Sequence, residues 1–256
     1  MTGSPEALSF LERARELLTD MVERERLLDT RITVVAKPLT PEEAIGTPGR
    51  RDFPIILGKE RVIEAGVRGS KGHAFTDSVR EFEGTVGEVL ELELDSNQNR
   101  AVFVATLNAV LRHLGRVTAT VHCRDDDPEL CAHDIASLLV ERHGKAKVGL
   151  VGLNPAIAER LVDTFGADRV RITDLDADNI GELRFGVEVW DGGCRTEDLI
   201  DFSDMLVITG TTLVNGTFDS IHNRIDAAGK HCLVYGVTAA GVGELLGIER
   251  VCPRGR

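Results

Sequence analysis

Residues 204–217 read "DMLVITGTTLVNGT": an apolar run that gives way to hydroxyls, an amide and two glycines. A strand apolar on both faces belongs inside a parallel sheet covered by helices on either side. In an open sheet of that kind, ligands sit beyond the carboxyl ends of the strands. A surface turn has little use for so many donors. Thr217 as the N-cap of a following helix, with Asn215 and Gly216 as a turn, would account for part of the pattern. Thr211 and Thr212, at the end of a buried strand, are left over. Together with Thr209, Asn215 and Thr217 they read as a ligand cradle.

The flanking sequence supports a doubly wound sheet. "KVGLVGLNPAIAERLVDTF" (147–165) is strand, turn and helix; "RVRITDLD" (169–176) is a strand ending in acids; "RFGVEVWDG" (184–192) is a third strand. A helix from Phe218 to Ala228 and the strand "HCLVYGV" (231–237) follow. Strands alternating with helices imply a Rossmann-like parallel sheet. The first loop places Gly152 and Asn154 at a helix N-terminus, with Pro155 as the first helical residue. Asp174 follows Gly152 by 22 positions, where an acid meets a ribose in dinucleotide sites. The middle glycine of G-x-G-x-x-G is missing, which argues against the usual NAD geometry. Asp174, Asp176 and Asp178 also resemble the start of a calcium loop. Asn179 at its sixth position and Phe185 at its twelfth exclude an EF-hand.

The part before residue 117 has a different pattern and reads as a small α+β unit. A helix is predicted from Pro5 to Leu28, capped by Ser4, with an apolar stripe through Leu8, Leu11, Ala14, Leu17, Leu18 and Met21. Ile32–Ala36 is a strand, and 38–52, with three prolines and two glycines, a loop. A hairpin is expected with arms Ile55–Leu57 and Val62–Ala65, followed by a loop around Gly69 and Gly72. "GTVGEVLELEL" (84–94) favours a helix up to Leu90. Asn99–Leu114 is a helix apolar on two adjoining faces, stopped by Gly115. The expected organisation is a helix over 1–30, a small α+β domain over 31–116 and a Rossmann-like domain over 117–256.

"TVHCRDDDPELCAHD" (120–134) gathers soft ligands. His122, Cys123 and Cys131 lie close in sequence, and Pro128 starts a helix that puts Cys131 in its first turn. Thiolate and imidazole favour transition metals over magnesium. Cys194 in a glycine-rich loop and His73 in "GSKGHAFTD" (69–77) are the more distant candidate ligands. The spacing is that of no zinc finger, and Cys131 as a core residue of its helix is the plain alternative.

Four stretches resemble motifs of the heavy-metal-chelation family: "GHAFTD" (72–77), "AVFVATLNAVLRHLG" (101–115), "HCRDDDPELCA" (122–132) and "ITGTTLVNGT" (208–217). The resemblance implies a Rossmann-like C-terminal domain preceded by a small domain like the N-terminal domain of enolases. It tilts function toward a metal, or a metal-bearing cofactor, between the two.

The chain has 256 residues and a formal net charge of -12. That charge repels nucleic acid and anionic headgroups. No apolar run is long enough to span a membrane. The N-terminal residues lack the pattern of a secretory signal, and five cysteines, an odd number, suit a reducing compartment. The expected setting is cytoplasmic, with a homodimer as the commonest assembly of soluble chains. The leading functional expectation is a metal-handling protein whose cleft holds a transition-metal ion, alone or as a chelate. The alternative is an enzyme binding a nucleoside-containing ligand. A third class, a scaffold docking through the first helix, requires its apolar stripe to be exposed.

Overall fold

The structure, a computed structural model, describes residues 8–35 and 40–256. Ser4 and Pro5, the expected start of the first helix, and Ala36, the expected end of the first strand, lie outside the described residues. Helix α1 (Phe10–Arg24) begins where the Ser9 hydroxyl accepts the Glu12 N–H at 3.2 Å. Leu8 therefore precedes the helix. Leu11, Ala14, Leu18 and Val22 are buried, Met21 packs beside them, and the helix lies on α10 (Ala240–Leu246). Leu8 and Leu17 stay exposed. Most of the stripe is ordinary core, which removes the docking role.

A four-stranded antiparallel sheet follows, built from β1 (Arg31–Val35), β2 (Arg61–Val67), β3 (Ser70–Thr76) and β4 (Phe82–Thr85), in the order β3-β2-β1-β4. Two expectations need correction here. The loop at 38–52 contains a one-turn helix, α2 (Pro41–Ile45), held by a capping box between Thr40 and Glu43. The hairpin is β2–β3 rather than 55–57 with 62–65. Its turn is Arg68 and Gly69, both at positive φ (46° and 84°), the geometry that suits the twist of a two-residue hairpin. The apolar run at 53–57 coils into turns instead, with Lys59 N–H bonded to the Pro54 carbonyl at 3.0 Å. Its apolar side chains Phe53 and Ile55 fill a second core.

Helices α3 (Val86–Leu90) and α4 (Asn97–His113) complete this part. Every residue of α4 from Ala101 to Leu111 is buried. Such a helix must be covered all round. The small sheet covers it on one side, and α8 (Thr211–Asn215) and α10 cover it on the other. The contact with β3 is close: a Cβ at Gly72 would lie 2.3 Å from the Ala105 carbonyl oxygen. Buried Asn108 closes the junction. Its amide donates to the carbonyls of His73, Val237 and Thr238 (2.9, 3.1 and 3.3 Å), and its oxygen accepts the Gly241 N–H at 2.7 Å.

Helix α5 (Asp127–His143) leads into the larger sheet: β5 (Val148–Val151), α6 (Pro155–Phe165), β6 (Val170–Asp174), β7 (Leu183–Arg184), β8 (Val187–Asp191), α7 (Thr196–Phe202), β9 (Met205–Thr209), α8, α9 (Phe218–Ala227), β10 (His231–Tyr235), α10 and β11 (Arg250–Val251). The order is β11-β10-β9-β5-β6-β8-β7, parallel throughout except for β7. Counting the parallel strands along the chain gives 3-2-1-4-5-6, the Rossmann order, with the reversal between β5 and β9. The chain is thus a Rossmann-like seven-stranded sheet preceded by a small α+β unit. The strand quoted at the outset is central and flanks the switch point. Among the described residues, no helix is long and apolar enough to cross a membrane.

Candidate functional site

A cavity of about 810 Å³ opens at the switch point. Its wall takes in the carboxyl ends of β5, β6, β9 and β10, the end of β3 at Phe75–Asp77, and Lys59 and Glu60 ahead of β2. His122, Cys123 and Cys131 line it as well. Of the residues expected in a site, Gly152, Asn154, Asp174, Thr211, Thr212, Asn215 and Thr217 all border this space. His73 and Cys194 do not.

The loop after β5 is shaped by Gly152, at φ +85°. A Cβ there would meet Thr209 Cγ2 at 2.5 Å, so both conformation and space require glycine. Asn154 caps α6, its Oδ1 accepting the Ile157 N–H at 3.2 Å. Asp174 accepts the Leu153 N–H at 2.6 Å on one oxygen and the Asp176 N–H at 2.7 Å on the other. Its carboxylate is thereby fixed at the end of the second strand and retains further acceptor capacity.

The threonine stretch differs in detail from a cradle of free hydroxyls. Residues 211–215 form the short helix α8. The Thr212 hydroxyl donates to the Thr209 carbonyl at 2.7 Å, and the side chain is 2% exposed. Thr217 stands at the start of α9 without a side-chain cap, because its hydroxyl donates to Asn215 Oδ1 at 2.7 Å. Thr209 and Thr211 behave otherwise. Thr209 Oγ1 donates to Thr211 Oγ1 at 3.2 Å, and Thr211 Oγ1 donates to Glu60 Oε1 at 3.3 Å. This hydroxyl pair reaches across to the small unit. Residues 70–76 are strand β3 rather than a loop, and only its carboxyl end, at Phe75–Asp77, faces the cavity. Lys71 is ion-paired to Glu64 at 2.8 Å, and neither it nor Arg68 lines the cavity.

On the opposite flank, His122 Nδ1 lies 2.6 Å from the Cys123 carbonyl, and Cys123 Sγ lies 3.9 and 4.0 Å from the two ring nitrogens. Burial holds the imidazole down to about 4, so it is neutral near pH 7. With Nδ1–H on the carbonyl, Nε2 is the acceptor nitrogen. Burial pushes the Cys123 thiol far up and the Cys131 thiol up to about 12. His73 is buried behind this wall, with Nε2 2.9 Å from Glu64 and Nδ1 accepting the His122 N–H at 3.2 Å. Cys194 is exposed in its loop. Among the described residues, no three His, Cys, Asp or Glu side chains stand together as a cluster able to hold a metal ion.

Sequence reasoning passed over four lining residues. Glu60 sits in "GKE", which reads as a solvated turn, yet burial raises its carboxyl to about 7. Tyr235 ends β10 and donates to the Gly152 carbonyl at 3.2 Å. Thr173, 1% exposed, has a hydroxyl with no hydrogen-bond partner. Cys252 follows β11 and lies near Cys131 and Cys123, whose thiols it helps to raise. The single sequence signal was positional: Tyr235, like Thr209, ends a parallel strand.

No curated protein matches the chain. A crystal structure of a protein of unknown function from the DUF364 family of Pyrococcus horikoshii is 14% identical, covers 90% of this chain and 80% of that one, and has a TM-score of 0.49. A DUF364-family protein of unknown function from Desulfitobacterium hafniense DCB-2 is 15% identical, covering 73% and 72%, with a TM-score of 0.48. A mandelate racemase/muconate lactonizing enzyme-like protein from Rubrobacter xylanophilus is 12% identical, covering 75% and 78%, with a TM-score of 0.24. Likenesses at this level carry no argument about activity. Residues 134–247, within the Rossmann-like unit, match the model of the DUF364 family, described as "Putative heavy-metal chelation".

Proposed function

We propose that the cleft between a domain of residues 31–116 and one of 117–256 binds a small metal-bearing molecule, a chelate, as cargo. The observation that carries this reading is the pairing of volume with donor chemistry. About 810 Å³ is far more room than a bare ion uses and is the size of a small-molecule site. His122 and Cys123 supply two soft donors 4.0 Å apart on its wall, with Cys131 and Cys252 nearby. Among the described residues these donors do not converge into a cluster that encloses an ion, and burial keeps the thiols protonated. A chelate brings the missing ligands, and its metal would displace the thiol protons on binding. Free thiols of this kind persist in a reducing cytoplasm.

The test is anaerobic purification without chelators, followed by elemental analysis before and after exposure to nickel, cobalt, copper or zinc, each offered bare and as a citrate or histidine complex. Retention of about one equivalent of a complexed metal, with bare ions held more weakly, supports the reading. Less than about 0.1 equivalent under every condition ends it.

One observation favours a second reading, an enzyme acting on a nucleoside-containing ligand. The strand order is the Rossmann order, and Asp174 ends its second strand, where a ribose diol is bound in that architecture. Saturating ligand at about 100-fold its Kd would add about 2.7 kcal/mol of stability. A thermal-shift series of nucleotides and S-adenosyl compounds showing no stabilisation up to millimolar concentration would remove it.

A further inference from the structure

The cavity wall is unbalanced in charge. Six carboxylates border it (Glu60, Asp77, Asp174, Asp176, Asp178 and Glu197) against two cations, Lys59 and Arg224. Both cations are occupied: Lys59 by Asp176 and Asp178 at 2.7 and 3.1 Å, Arg224 by Asp201 at 2.8 Å. Glu60, Asp77, Asp174 and Glu197 are left without a basic partner among the described residues. Asp77 and Glu197 are exposed and Asp174 is held by two backbone N–H groups, which leaves Glu60 as the half-buried carboxylate with least compensation. Its Oε1 accepts only the Thr211 hydroxyl, and Oε2 has no hydrogen-bond partner among the described residues. No described basic side chain pairs with it. Separately, the buried Thr173 hydroxyl on the same wall lacks a hydrogen-bond partner among the described residues. A buried carboxylate persists when a counter-charge or hydrogen bonds compensate it. At half-buried Glu60 the protein supplies one hydroxyl, and the residue lines the cavity.

We propose that the cleft selects an organic cation, a ligand carrying an ammonium group that seats against Glu60 and within reach of Thr211 and Asp174. This rests on reading the cleft as a ligand site and specifies the chemistry of what enters it. An ammonium supplies up to three donors and one positive charge. Glu60 Oε2 accepts one of those donors, and the remaining carboxylates set the sign of the field that draws the cation in.

The titration of Glu60 makes the proposal measurable. Its carboxyl is faced by Asp174 from the end of β6, Asp77 from the end of β3, Tyr235 from β10 and the Thr211 hydroxyl from α8. Burial first, and then the two aspartates, raise it to about 7, against the lowering by Thr211. A seated cation holds Glu60 ionised, so binding at lower pH must expel a proton. With the group at about 7, affinity weakens roughly tenfold from pH 8 to pH 6.

The test uses the full chain and a matched pair of probes, 1,4-diaminobutane and 1,4-butanediol, titrated by calorimetry and thermal shift at pH 8 and pH 6. The diamine is expected to bind at least about tenfold more tightly than the diol at pH 8. It should weaken about tenfold at pH 6, and Glu60→Gln should erase the preference. Equal affinity for diamine and diol, or an undiminished preference in Glu60→Gln, overturns the proposal. If Glu60→Gln does not fold, the wild-type pH series decides: pH-independent diamine affinity overturns it, and the tenfold change supports it. A protein that retains a metal chelate but shows no preference for the diamine loses this inference alone. One that binds the diamine and no chelate loses the metal reading and keeps this one.

Discussion

The two polar walls of the cleft satisfy themselves in opposite ways. On the β9–α8 wall most hydroxyls are turned inward onto the chain: Thr212 to the Thr209 carbonyl, Thr217 to Asn215, with only Thr209 and Thr211 relaying outward to Glu60. On the wall formed by His122, Cys123 and Cys131 the polar atoms are neutral and under-used. His122 keeps an acceptor nitrogen, and the Cys123 and Cys131 thiols are held protonated by burial. A wall that has met its own hydrogen bonds contributes shape and rigidity. A wall with neutral, uncommitted donors gains most from a ligand. Residue type alone does not mark a contact surface; the partners already taken do.

The largest effect should therefore come from the thiol wall. Cys123→Ala and Cys131→Ala are each expected to lower retained metal, offered as a chelate, by about tenfold or more. Each should still unfold cooperatively, at a cost of about 1–2 kcal/mol for the lost packing. Elemental analysis and urea midpoints separate the two effects. Unchanged occupancy in both variants, with stability reduced, would make the thiols plain core and erase the contrast between the walls.

The comparison also presumes that both walls are held rigidly, and Asn108 is where that can be broken. It joins the His73 carbonyl, beside one wall, to the 237–241 segment that follows β10. Asn108→Ala leaves the Gly241 N–H and three carbonyls short of a partner in a buried setting. A loss of about 3 kcal/mol is expected, from two or more unsatisfied groups and a small cavity. Chemical denaturation measures it; a change under about 1 kcal/mol would mean that water replaces the amide.

Legibility in the sequence follows the same division. The Rossmann-like half was readable because its longer strands are mostly apolar and closed by glycine or acid, signals that depend on neighbours in sequence; the two-residue strand β11, Arg250–Val251, carries no such signal and was not expected. The small unit was misread at 53–77. The apolar run at 53–57 looks like a strand but fills a core from a coil. The true hairpin turns on Arg68-Gly69, without an asparagine or aspartate to announce it. Glu60 escaped notice for a related reason. Its hydrogen-bond partner Thr211 lies 151 residues away and the neighbouring charge Asp174 is also remote in sequence, and nothing adjacent in "GKE" encodes either. Gly152, Asp174 and the 209–217 stretch were found because strand position predicts them, while Tyr235 and Thr173, similarly placed, were passed over. Cys194 and His73 were drawn in by residue type, which does not report direction: one is exposed and the other lies behind the wall.

The two walls also titrate in opposite senses, a third way to sharpen the contrast. His122 is depressed from 6.5 to about 4, chiefly by burial. Between those values the unfolded chain binds the proton and the folded one does not, so stability falls as pH falls. Glu60 is raised from 4.5 to about 7 by burial, so between those values the folded chain holds the proton and stability falls as pH rises. From about pH 4.5 to 6.5 the two slopes oppose. Each has an upper bound of about 1.4 kcal/mol per pH unit, reduced in practice because both side chains keep some contact with cleft water. In metal-free protein, the difference between Glu60→Gln and wild type isolates the Glu60 titration, with the variant's relative stability declining from about pH 7 toward pH 4.5. The difference for His122→Gln isolates the His122 titration, with the variant's relative stability declining from about pH 4 toward pH 6.5. The stability difference between variant and wild type across this range cancels every other titrating group. A difference that does not change with pH in either variant would show that the group concerned titrates as if in water.

The smallest effect concerns a single hydroxyl. If the β9–α8 wall offered Thr212 to a ligand, Thr212→Val would weaken binding and leave stability almost unchanged. The geometry gives the reverse expectation. The hydroxyl sits 2.7 Å from the Thr209 carbonyl on a side chain 2% exposed, so no ligand atom can take it without breaking that bond. Valine keeps the shape and removes the donor, leaving the Thr209 carbonyl with one fewer hydrogen bond. The expected loss of stability is about 1 kcal/mol, with chelate and diamine affinities within about twofold of wild type. Thr211→Val is the matched control, since its hydroxyl faces Glu60 across the cavity. Its removal takes away the one hydrogen bond that favours ionised Glu60, so diamine binding should weaken while stability changes less than in Thr212→Val. Equal behaviour of the two variants in both measurements would dissolve the distinction between an inward-facing and an outward-facing threonine.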